Sequence, residues 1–184
     1  FDKDRSDRST YKLLGGSIGF YGSTLNTRQY ATKGYLEKLI AQVFTGRERF
    51  EPGNPQEGYS PSPQERQSWL QISYMKEAYH TMGPKFTLGW MAEALYSSKN
   101  FSENYTATMM QAGEFAPTPH SKLMYNEAFR ANQYVAAGIK PIYVLNDMFQ
   151  FRTEFYGFTP IFPIKKNALN KAYYGKAFSR FEYM

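Results

Sequence analysis

Gly15-Gly16-Ser17-Ile18-Gly19 has the Gly-x-Ser-x-Gly spacing that can hold a serine on a strained strand-to-helix turn, its hydroxyl raised for acyl transfer. Such a serine needs a helix behind it and a base beside it. The next residues, Phe20-Tyr21-Gly22-Ser23-Thr24, do not read as a helix, and neither His80 nor His120 lies in a motif that ties it to Ser17. The aspartates are Asp2, Asp4, Asp7 and Asp147, and none precedes a glycine. A glycine-rich strand is the preferred reading, hydrolysis at Ser17 is the least favoured, and no catalytic residue is assigned. Cysteine is absent, and His120 stands in the proline-rich Ala116-Pro117-Thr118-Pro119-His120-Ser121-Lys122 without a second ligand at metal spacing, so no metal site is expected. Asn100-Phe101-Ser102 and Asn104-Tyr105-Thr106 match the short glycosylation pattern, which carries little weight by itself. No Walker motif and no dinucleotide fingerprint occur, and no cofactor is expected.

One charged set shares a predicted direction: Lys140, Arg152, Glu154, Lys176, Arg180 and Glu182. Two-residue alternation groups them. In 149–155, Phe149, Phe151, Thr153 and Phe155 form one face, and Gln150, Arg152 and Glu154 the other. In 173–183, Tyr173, Gly175, Ala177, Ser179, Phe181 and Tyr183 oppose Tyr174, Lys176, Phe178, Arg180 and Glu182. The clearest alternation sets Phe86, Leu88, Trp90, Ala92, Ala94 and Tyr96 against Lys85, Thr87, Glu93 and Ser97. A helix would scatter those apolar residues around its circumference, whereas a strand puts them on one face. Phe86, Leu88, Trp90, Tyr96, Phe149, Phe151 and Phe155 are the residues expected to meet lipid. The six charged residues are expected to line a lumen, as a solvated inner wall in preference to a network that plugs or gates it. Arginine at Leu88 or Trp90 is expected to weaken membrane insertion, and arginine at Thr87 to be mild.

The elements that position these groups set the class. Aromatic residues make 18% of the 184 residues, yet the mean hydropathy is −0.60. Many rings inside a polar average suit a barrel wall with one face on lipid and one on a polar lumen. An aromatic-rich soluble β domain that binds carbohydrate or a partner protein is the rival. No window of roughly 18 apolar residues forms a spanning helix, whereas a spanning strand needs only ~9–11 residues. The net charge of +6 is spread along the chain, which argues against nucleic acid as a partner. Strands are expected over 11–21, 69–79, 86–96, 134–143, 149–155 and 173–183, with turns at Met82-Gly83-Pro84 and Asn146-Asp147. Loops are expected over 1–9, 51–64, 97–132 and 159–170, with room for a strand or a short helix inside 97–132; 51–64 holds Pro52, Pro55, Pro61 and Pro63. In 35–50, Tyr35, Leu36, Leu39, Ile40, Val43 and Phe44 have the spacing of an amphipathic helix. The expected fold is all-β: residues 1–184 as part of one antiparallel transmembrane β-barrel, about six or seven strands of a larger one, with both chain ends read as cuts in a longer polypeptide.

Several strings carry a family likeness. They are Phe115-Ala116-Pro117-Thr118-Pro119-His120-Ser121-Lys122, Asn126-Glu127-Ala128-Phe129-Arg130-Ala131-Asn132-Gln133 and Gly138-Ile139-Lys140-Pro141-Ile142-Tyr143, with Arg152-Thr153-Glu154-Phe155-Tyr156 and Asn170-Lys171-Ala172-Tyr173-Tyr174-Gly175-Lys176-Ala177-Phe178-Ser179. Together they resemble the C-terminal barrel region of patatin-like phospholipases of the bacterial outer membrane, which is related to the surface-antigen barrels. The likeness is best over 86–184 and weaker over 9–50. It implies a parent protein in which a lipid acyl hydrolase domain precedes a small periplasmic domain and the barrel, so that the barrel anchors or displays the hydrolase. The implied partners are outer-membrane lipid, the rest of the same polypeptide, and a second copy or larger membrane complex. The hydrolase's serine and aspartate belong to that other domain. This chain contains no Asp-Gly, so Ser17 inherits no role. The likeness makes Tyr35 to Phe44 a strand, against its helical spacing.

Overall fold

A computed structural model of the chain describes residues 7–53, 65–146 and 149–184. Four long strands open it: β1 (Arg8–Ser23), β2 (Gly34–Glu51), β3 (Glu65–Thr81) and β4 (Phe86–Ser97). A covering segment follows, with helix α1 (Tyr105–Gln111), the short strands β5 (Gly113–Glu114) and β6 (Arg130–Ala131), and 3-10 turns at Ser121–Leu123 and Glu127–Phe129. The chain then returns as β7 (Gln133–Val144), β8 (Gln150–Arg152), β9 (Phe155–Pro160), β10 (Ile164–Lys166), β11 (Ala172–Tyr174) and β12 (Glu182–Tyr183). The main sheet is antiparallel throughout, in the order β1-β2-β3-β4-β7-β9-β12, with β8 also on β7. The all-β antiparallel class expected from alternation is the observed one. Among the described residues no pairing joins β1 to β12, and these two strands are the edges of an open sheet.

β8 and β9 are one strand with a gap. Ile142↔Arg152 and Ile139↔Phe155 keep a single register along β7. Thr153 N–H donates to the Pro141 carbonyl at 3.1 Å, but Pro141 has no N–H to return the bond, so the ladder fails there. Counted this way the sheet has seven strands.

Residues 35–50, open between helix from their spacing and strand from the family likeness, are strand: Leu36, Ile40 and Phe44 lie on one face of β2, and Tyr35, Leu39 and Val43 on the other. Two expectations need correction. The single strand expected over 173–183 is two short strands around a bulge. Gly175 N–H donates to Pro163 O and Phe178 N–H to Ile161 O, yet Glu182 pairs with Phe158, so the later residues have slipped by two. Phe178 absorbs the slip at φ 51°. The loop expected over 159–170 contains β10, which pairs with β11 through a turn at Asn167–Asn170. Of the other expected loops, 1–9 is partly strand from Arg8, and 97–132 holds the elements named above. Residues 1–6, 54–64 and Asp147, on which parts of three loop and turn expectations fall, lie outside the described residues.

The sheet has one covered and one uncovered face. Residues 98–132 fold over it and bury Phe115 and Phe129 against Met91, Leu95, Tyr134, Ala136, Tyr156 and Phe158. Phe115 stacks on Phe158 with centroids 5.9 Å apart and meets Tyr134 and Tyr156 edge-on. Each buried ring of this kind contributes about 1.5–3 kcal/mol. At the opposite end of the strands, the β1–β2 connection tucks Ala31 against Tyr79 and Ile142. The long connection 98–132 lies at the end where β4 finishes; the tight turn 82–85 lies at the other.

Candidate functional site

Alternation places Glu77 and Tyr79 of β3, Lys140 of β7, and Arg152, Glu154 and Tyr156 of the interrupted strand on the covered face. β4 runs between β3 and β7. Its residue opposite both Tyr79 and Lys140 is Gly89. A Cβ there would lie 2.6 Å from the Tyr79 ring and 3.1 Å from Lys140 Cβ. The missing side chain lets Tyr79 lie across β4 towards β7. Gly138 does the same for Tyr156, whose ring would sit 2.3 Å from a Cβ. Two glycines thus clear a floor on which two tyrosines bring charged groups from three strands together.

The resulting network is closed. Lys140 Nζ donates to Glu77 Oε1 at 2.8 Å, and the Tyr79 hydroxyl donates to the same oxygen. Arg152 spreads its fork over three acceptors: Glu154 Oε1 at 2.7 Å, the Tyr79 hydroxyl at 2.7 Å and the Ala31 carbonyl at 3.0 Å. The Tyr156 hydroxyl donates to Glu154 Oε2 at 2.6 Å. Lys140 lies within 6.0 Å of the Tyr79 and Tyr156 ring centres, and Arg152 within 5.8 Å of those of Tyr30 and Tyr79. Two carboxylates answer two cations, and Lys140 is only 5% exposed. Charge-assisted bonds of this kind are strong when every partner is satisfied. The network walls a cleft of about 750 Å³ between the sheet and its covering segments. A second polar link ties the cover down: the Tyr134 hydroxyl, 2.6 Å from Glu93 of the sheet, also lies 3.2 Å from the Glu114 carbonyl of β5, and within the cover Glu114 pairs with Arg130 at 2.6 Å.

Of the six charged residues singled out by alternation, three meet here: Lys140, Arg152 and Glu154. The other three do not join them. Arg180 donates to the Ala128 carbonyl at 2.7 Å and lies 3.7 Å from Glu182, against the covering segment. Lys176 is exposed in the bulge after β11. Glu77, Tyr79 and Tyr156 were not singled out, although Tyr156 shares the parity of Arg152 and Glu154. The seven aromatic and aliphatic candidates all lie on the uncovered face. Cross-strand rows run Phe86–Tyr143–Phe151 and Ala78–Trp90–Ile139–Phe155. Phe149, Phe151, Phe155 and Tyr96 are well exposed, Phe86 somewhat less, and Leu88 and Trp90 are half-buried by their neighbours in the rows.

Ser17 sits mid-strand in β1, exposed and opposite Gln42, and the strand runs on to Ser23 with no turn or helix behind the serine. His80 is in β3, beside Leu88, and His120 adjoins a 3-10 turn of the cover. Among the described residues no group of three or more His, Asp or Glu could hold a metal ion, and no helix is long and apolar enough to cross a membrane. Compared with known proteins, the chain matches no family model, no curated protein and no solved structure.

Proposed function

We propose that this chain is wall and lumen of a transmembrane antiparallel β-barrel in a bacterial outer membrane, and that it anchors a lipid acyl hydrolase domain carried on the same polypeptide outside these residues. The observation that supports the barrel is the inversion of the sheet. From β1 to β9 the uncovered face carries Leu14, Ile18, Phe20, Leu39, Val43, Leu70, Ile72, Trp90, Val135, Ile139 and Phe155, interrupted by the cross-strand pair Glu37–Lys76 at 3.8 Å, while the closed network of Glu77, Lys140, Arg152 and Glu154 lies under the cover. Water on both sides would favour the reverse arrangement; hydrocarbon outside and water within favours this one. The exposed Lys12, Arg47 and Arg66 stand in one cross-strand row just past this band, at the end of the long connections. Like charges opposite one another repel, and anionic headgroups would neutralise them. Lipid offers no hydrogen bonds, so the open edges of β1 and β12 need further strands to pair with. The hydrolase rests on the patatin-like resemblance of 115–122, 126–133 and 170–179.

Arginine scanning tests the barrel. Leu88→Arg and Trp90→Arg should each weaken folding into neutral liposomes by ~2–4 kcal/mol if near the midplane, whereas Ser17→Arg, exposed on the other face, should be near neutral. Equal effects at all three positions, or a monodisperse monomer without detergent, would sink the barrel and leave the apolar face to a protein or carbohydrate partner. A full-length reading frame lacking an upstream acyl hydrolase would remove the anchoring role alone.

A further inference from the structure

Lys99 stands outside the network described above. It follows β4 at the end of the long connections and is only 7% exposed. Its ammonium lies 4.7 Å from the Trp69 ring centre and 5.7 Å from that of Tyr11. Among the described residues no carboxylate is within ion-pair range of it. Glu48, the acid whose field reaches it, is already engaged by the Tyr11 hydroxyl at 2.7 Å and Gln67 Nε2 at 2.7 Å. Lysines this deeply buried are rare unless paired with an acid. Beside the amine opens a groove of about 790 Å³ whose walls include Leu13, Phe44, Trp69, Ala107 and Met110. That volume lies within the ~300–1,000 Å³ of small-ligand pockets.

We propose that this groove binds a single-chain anionic amphiphile, its acyl tail on the apolar walls and its carboxylate on Lys99. One cation matches one monoanion. The negative charges of Glu48 and of Asp7, which also lines the groove, disfavour a dianionic head. Burial lowers the Lys99 amine to about 8, with Glu48 acting in the opposite direction, so the ammonium is the majority form at neutral pH. Tyr11, Glu48 and Asp7 are the titratable groups that face it. The groove is on the covered face, and the inference does not depend on the membrane reading.

The sequence has two tryptophans, so Trp90→Phe leaves Trp69 as the single reporter inside the groove. The probe is dibromostearic acid, whose bromines quench a tryptophan they touch, compared with its methyl ester, both added to the folded 184-residue chain in maltoside micelles. The acid should quench Trp69 saturably, with an affinity at least about tenfold above the ester's. Lys99→Met should bring the acid down to the ester, and Lys99→Arg should retain the difference. Equal quenching by acid and ester, or none that saturates, overturns the proposal on the Lys99-intact protein alone, whether or not Lys99→Met folds. A folded Lys99→Met protein that keeps the acid preference overturns it as well.

Discussion

β7 shows two environments on one backbone. Val135, Ile139 and Tyr143 are 41%, 51% and 44% exposed, while Tyr134, Lys140 and Ile142, one residue away from them, are 1%, 5% and 0% exposed. The uncovered side of β7 is mostly apolar. Its covered side mixes rings with Lys140, whose charge Glu77 answers at 2.8 Å. Burial here therefore does not sort residues by polarity. What decides the covered face is whether each polar group finds a partner, and what decides the uncovered one is that it carries almost none.

Removing the cover should separate the two faces most strongly. Phe115→Ala empties the centre of the aromatic cluster that joins cover to sheet, and a cost of ~3–5 kcal/mol is expected, read as the urea midpoint of the micelle-folded protein. Phe151→Ala, on the uncovered side of the same sheet, should cost well under half of that in micelles. If the two matched, covered and uncovered faces would not differ in packing as described.

The ion network comes next. Lys140→Met leaves Glu77 with only the Tyr79 hydroxyl, and breaking one partner of a buried pair costs ~3 kcal/mol. Replacing both, as Lys140→Met with Glu77→Leu, should recover most of the loss. A double variant as unstable as the single would mean that the bridge itself, and not the orphaned carboxylate, is what matters. A smaller loss, ~1–3 kcal/mol, is expected for Gly89→Ala, whose new methyl would overlap the Tyr79 ring. The same substitution in a Tyr79→Ala background should cost clearly less, because the ring overlap is gone and only the 3.1 Å approach to Lys140 Cβ remains.

Alternation made much of this legible. It identified β3, β4 and β7 and the direction of Lys140, Arg152 and Glu154. Thr87 shows its limit: its parity was right, but at 5% exposure it is no mild place for arginine, because burial on the covered face depends on the cover. β2 read as helical because apolar residues recur every four positions on both of its faces, as Leu36, Ile40 and Phe44 and as Tyr35, Leu39 and Val43. A strand dressed that way imitates helical spacing. The bulge before β12 was hidden because a two-residue slip preserves parity while moving every partner. Glu77 and Tyr79 escaped notice because they reach Lys140 only over Gly89, and that requires knowing that β4 lies between β3 and β7.

Lys99 gives the smallest effect and the one with a defined pH signature. Its amine falls to about 8 in the folded chain, against roughly 10.4 when unfolded. Between those values the unfolded chain holds the proton and the folded chain has released it, so raising the pH favours folding. Below about 8 both states are charged, and the folded state bears the full penalty of a buried ammonium. Many other groups titrate over the same range, but they are common to wild type and Lys99→Met. The difference in unfolding free energy between the two proteins isolates the amine. It should shift in favour of the wild type by about 1 kcal/mol from pH 7 to pH 9.5, less than the full shift implies because the groove admits some water. A flat difference across that window would mean that burial does not lower the Lys99 amine in the folded chain, whether because water solvates it or because an acid pairs with it.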